Sequence, residues 1–127
     1  MNWNMGWAES LRFEFEAHEG SFLLELRCGL NWDEAKFNAL CESMWGFCVQ
    51  NRALLDDREA SVVRWIADGF YYFSWFPRSW TSEWGWRETP YGMEAIERIE
   101  NLCWWFFTGD DPFRGQEFQP IFSIQST

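Results

Sequence analysis

Aromatic side chains crowd this chain so heavily that its interior has to be built largely from rings: 13 Phe, 11 Trp and 3 Tyr fall within 127 residues. A buried ring hides roughly 150–250 Å², and a domain of this length encloses about two-thirds of the surface its unfolded chain exposes. Some rings are therefore expected at the surface, where the formal net charge is −10. Surplus rings beside surplus carboxylates restrict what such a surface can favourably touch.

The length fits one domain over residues 1–127, and a chain that is 47% hydrophobic and 24% charged is an ordinary globular composition. The opening residues Met1 to Met5 carry no basic stretch followed by an apolar core, so no secretory leader is read and a cytoplasmic location is expected. The longest largely apolar run, Gly69 to Phe76, covers eight residues including Ser74, against about 20 for a membrane helix. No membrane association is expected.

Cys28, Cys41, Cys48 and Cys103 are expected to be reduced and buried. On one helix Cys41 and Cys48 would lie about 10 Å apart, beyond the roughly 7 Å that a disulfide spans. Their spacing matches no common zinc site, and His18 is the single histidine. No metal and no cofactor are implied.

Two stretches alternate with period two. Leu11, Phe13, Phe15 and Ala17 interleave with Arg12, Glu14 and Glu16, and Phe22, Leu24, Leu26 and Cys28 interleave with Leu23, Glu25 and Arg27. Half-buried strands show that pattern, and Gly20-Ser21 between them suits a two-residue hairpin turn. The register sets Glu14 opposite Arg27 and Glu16 opposite Glu25, with Trp3, Met5 and Trp7 extending the first strand. At the far end Phe118, Phe122 and Ile124 alternate, and Pro120 confines that tail to an edge strand or a clasp.

Helical spacing governs the middle. Asn31 or Asp33 caps a helix to about Asn51 that buries Phe37, Leu40, Cys41, Met44 and Cys48 and turns Glu42, Gly46 and Gln50 outward. Asp56 with Glu59 resembles a capping box for a second helix, ended by Pro77, that buries Val62, Val63, Ile66, Phe70 and Phe73. Thr89-Pro90 opens a third helix and Gly109 closes it, with Ile96, Ile99, Cys103 and Phe106 inward. The expected fold is α+β, a small antiparallel sheet packed against three α-helices.

Three rings break this scheme. Projection at 100° per residue sets Trp105 among Glu94, Glu97, Arg98 and Asn101, and sets Tyr71 and Trp75 beside Arg64 and Asp68. Something is expected to cover them: the chain's own segment 77–88 with Trp80, Trp84 and Trp86, a second copy in a homodimer, or a foreign partner.

Catalytic signals are sparse. His18 near Glu16 and Glu19 is expected to be an exposed turn residue, and Asp56-Asp57 and Asp110-Asp111 are expected at helix ends. Glu83 and Glu88 beside Trp84 and Trp86 are the one carboxylate pair that a small hydrolase would use. Acidic residues outnumber basic ones 20 to 10, which disfavours nucleic acid. The expectation is a non-catalytic binding protein for a basic protein surface, of inhibitor or immunity-like type. Trp75, Trp80, Trp84, Trp86, Trp105 and Tyr71 would anchor it, and Glu83, Glu88, Glu94 and Glu97 would steer encounter. The alternative partner is a small cationic or amphipathic molecule held by the same loop and closed by Phe113 and Phe118.

Overall fold

A computed structural model describes residues 2–81 and 88–123, and among these the chain forms six helices and no strand. They are α1 (Ala8–Phe15), α2 (Phe22–Gly29), α3 (Glu34–Gln50), α4 (Arg52–Leu55), α5 (Arg64–Trp80) and α6 (Pro90–Thr108). The expected α+β architecture is thus replaced by an all-helical one.

The correction begins at the presumed hairpin, whose two arms are α1 and α2. Residues 8–29 contain no Val, Ile or Thr, the residues that most favour a pleated strand, and they are rich in Leu, Glu, Arg and Ala, which favour helix. Spacing of three and four then decides what is inside: Leu11 and Glu14 from α1, Phe22, Leu23 and Leu26 from α2. Ser21 caps α2 by accepting the Leu24 N–H at 3.2 Å. Gly20 does have the positive φ expected of it, 91°, but in a connection between helices. The cross-strand charge pairs vanish with the hairpin, because Glu25 bonds Lys36 at 2.6 Å and Arg27 lies over Tyr72 at 4.8 Å.

Helix α3 is as the sequence predicts, capped by Asp33 through the Lys36 N–H and burying Phe37, Leu40, Cys41, Met44 and Cys48. Gly46 is not on an open face, since a Cβ there would stand 2.1 Å from the indole of Trp7. Gly69 of α5 is overlaid in the same way by Phe15, at 2.1 Å. Rings of the α1 region therefore sit on bare backbone of α3 and α5, and the close approach requires glycine at both places.

Helix α5 starts and stops later than its sequence signals. Asp56 and Glu59 open no helix; α4 ends at Leu55, and residues 57–63 are irregular, with Val63 exposed. Pro77 does not end α5 but lies inside it and is buried, and the chain stays helical to Trp80. Helix α6 matches its signals, with Thr89 as N-cap, Pro90 first and Gly109 left-handed at φ 81°. Arg78 bonds Glu100 at 2.6 Å and Phe70 stacks on Phe106 at 4.1 Å, so α5 and α6 run antiparallel.

The tail beyond α6 is a clasp, not an edge strand. Asn38 of α3 donates to the Ile121 carbonyl and accepts its N–H, at 3.0 and 2.9 Å, and Arg98 donates to the Gln119 carbonyl at 2.8 Å. Cys41, Cys48 and Cys103 are buried free thiols, whereas Cys28 is exposed. Among the described residues no helix is long and apolar enough to cross a membrane.

Candidate binding groove

The rings predicted to face outward divide into two groups. Tyr71 and Trp75 are 63% and 46% exposed on α5, and Trp75 leans on Tyr72 and Phe76 at 5.2 and 5.9 Å. Trp105 is sealed, at 1% exposure. Its projected open face is covered by Trp45 of α3, with ring centres 6.3 Å apart, and by Phe113 of the tail at 6.0 Å. Phe113 stacks on Trp45 at 4.1 Å and Arg98 spans Trp45, Phe113 and Phe118. Phe113 and Phe118 are thereby packed on Trp45 within the fold. The cover on Trp105 is thus the tail together with α3, neither of which is among the three covers expected from the sequence.

Trp80 is half-buried against Trp32, 6.3 Å between centres. Glu88, Glu94 and Glu97 are exposed, and no hydrogen bond or ring contact joins them to Tyr71 or Trp75. Glu83, Trp84 and Trp86 lie outside the described residues, so the loop cage and the Glu83/Glu88 pair do too. His18 is exposed and 3.2 Å from Glu16. Among the described residues no group of three His, Cys, Asp or Glu side chains is placed to hold a metal.

A concavity lies away from the rings singled out as anchors in the sequence. It is a groove of about 640 Å³ between the end of α6, the turn after α4 and the N-terminal strap. Trp104 and Phe107, 56% and 52% exposed, form one wall. They belong to the outward stripe of α6 that begins at Met93 and Glu97 and recurs every three or four residues, a signal present in the sequence once the stripe is followed past Glu97. Asp56, Asp57 and Asp110 line the same groove, and Arg58 is the one cation among its described lining residues.

Local structure fixes each wall. Gly109 brings the end of α6 against α4 so closely that a Cβ there would meet the Leu55 carbonyl at 2.6 Å. Buried Asn51 ties down the strap, accepting the Asn4 N–H at 2.6 Å and donating to the Asn4 and Phe47 carbonyls at 2.9 Å. Trp3 consequently lies flat on Phe47, planes 9° apart, and its indole N–H donates to the Ser61 carbonyl at 2.7 Å. Asp57 accepts the Glu59 N–H at 3.0 Å, which turns the chain back toward Trp3. The arrangement offers aromatic faces and edges beside carboxylates, an environment that attracts cations through ring quadrupoles and Coulomb fields.

Compared with known proteins, the chain matches no family model, no curated protein and no solved structure.

Proposed function

We propose that the protein is a non-catalytic binding protein that engages a basic partner protein, with the groove between α4 and α6 at the centre of the contact. One observation carries this: Trp104 and Phe107 stand half-exposed in the same concavity as Asp56, Asp57 and Asp110. Rings left in water gain about 25 cal/mol for every Å² that a partner covers, and tryptophan is a frequent anchor of interface centres. The charge of −10 draws a basic surface toward the molecule and orients it. Glu88, Glu94 and Glu97 contribute to that field, and Tyr71 and Trp75 supply a second aromatic area on α5. A volume of about 640 Å³, inside the range that small ligands occupy, favours a cationic or amphipathic small molecule as the second reading.

Affinity capture from lysate of the source cells at low salt tests the proposal. Basic proteins are expected on the wild-type chain and are expected to fall roughly tenfold or more on Trp104→Ala, the loss typical of an interface anchor. Recovery of the same proteins in equal amount by Trp104→Ala overturns it.

A further inference from the structure

Given the basic partner proposed above, we infer that the groove receives it as an extended chain segment, whose cationic side chains run along the carboxylates while its backbone pairs with residues 61–63. A second concavity of about 400 Å³ adjoins the first, sharing Trp3, Leu54, Asp57 and Ala60 with it and adding Glu59 and Ser61. The two make an elongated channel. Asp56, Asp57, Glu59 and Asp110 are distributed along it, against Arg58 alone among the described lining residues. A single ammonium or guanidinium group occupies one chamber; several cations on one extended chain reach both.

The bordering segment has the backbone for such a guest. Residues 60–63 belong to no helix, and Val63 is extended at φ −63° and ψ 128°. Among the described residues the N–H groups of Ser61, Val62 and Val63 donate no hydrogen bond, while the Ser61 carbonyl takes the Trp3 indole N–H. Main-chain donors left without a partner outside any helix are what an incoming strand uses, main-chain bonds supplying affinity and side-chain pockets selectivity. Alternate residues of the guest then face the groove, so a sequence alternating cationic and aliphatic residues matches it.

Isothermal titration calorimetry on the intact chain tests this with an acetylated, amidated hexapeptide of alternating valine and arginine. Its comparisons are the same peptide N-methylated at valine, and N-acetylarginine amide. The hexapeptide is expected to bind at least about tenfold tighter than the single arginine, and N-methylation is expected to weaken it roughly tenfold. Paired Asp57→Asn and Asp110→Asn changes are expected to weaken it about tenfold, whereas the equally neutralising pair Glu19→Gln and Glu42→Gln, both exposed and outside the groove, changes it less than about twofold. Asparagine keeps the turn-forming acceptor at position 57, and thermal melts confirm that both variants fold. Equal binding of the N-methylated peptide, or equal losses in the two variant pairs, overturns the inference. If capture still depends on Trp104 when that happens, the extended-segment inference falls alone and the partner docks as a folded surface. If capture is indifferent to Trp104, the basic-partner reading itself falls.

Discussion

A carboxyl group held away from water resists ionisation, and Glu14 is held that way on the inner face of α1. It is 3% exposed; one oxygen accepts the Phe22 N–H at 3.4 Å and the other has no hydrogen-bond partner. Desolvation raises its pKa from 4.5 to about 7, and the Phe22 N–H and the charge of Lys36 offset only part of that. Because the folded pKa exceeds the unfolded one, the native state binds the extra proton between them, so this group's contribution falls as pH rises from 4.5 to about 7 and is flat above. At about 1.4 kcal/mol per pH unit the full effect is ~3 kcal/mol at most. Glu14→Gln keeps an acceptor for Phe22 and carries no charge. Denaturant melts are expected to show it more stable than wild type by about 1–3 kcal/mol at pH 8 and the advantage vanishing near pH 4. An unchanged difference across that range contradicts a buried, late-titrating carboxyl. Period-two reading places Glu14 outside; only helical spacing carries it in.

At the scale of elements, α1 is positioned by rings lying on glycine backbone. Replacing an exposed helical glycine by alanine usually stabilises by up to about 1 kcal/mol, but at Gly69 the new methyl would stand 2.1 Å from the Phe15 ring. That ring also packs on Trp65, Phe70 and Phe73, contacts that any retreat would disturb. Gly69→Ala is expected to cost a net ~1–2 kcal/mol and lower Tm by roughly 3–10 °C. Gly29→Ala, where the added methyl meets only the Glu25 side chain at 3.7 Å, is expected to be neutral or stabilising. A higher Tm for Gly69→Ala would show that α1 is not so seated. The same elements mark how far the sequence is legible. Helices α3 and α6 are readable because 17 and 19 residues repeat the period several times and carry Asp33, Thr89 and Gly109 at their ends. Helices α1 and α2 have eight residues each, too few turns to separate a period of two from one of 3.6, and the missing β-branched residues are the signal that settles them. Pro77 misleads because a proline removes one helical bond without preventing the final turn. Trp105 misleads because a helix projection shows which residues share a face, not what packs on it; the covering residues Trp45 and Phe113 come from distant sequence.

At the scale of the whole molecule, surplus aromatic surface is distributed between self-packing and exposure, and position along α6 separates the two. Trp105 faces α3 and the tail, while its neighbour Trp104 faces the groove. From the sequence, surplus rings beside carboxylates and the outward placement of Tyr71 and Trp75 are legible, but none of the anchor rings or steering carboxylates singled out there is among the described residues that line the groove. The groove itself is not legible, because Trp3, the turn after α4 and the end of α6 are distant in sequence and meet through Asn51, Gly109, the Trp3–Ser61 bond and the packing of the strap on Phe47. Backbone and indole N–H resonances followed by NMR during titration with the valine–arginine hexapeptide show where the guest sits. The indole signals of Trp3 and Trp104 and the amides of residues 56–63 and 107–110 are expected to move together and saturate, while the Trp75 indole and the amides of Glu94 and Glu97 stay in place. Movement centred on Trp75 or on Glu94 and Glu97, with the Trp3 and Trp104 indoles still, would contradict binding in the groove.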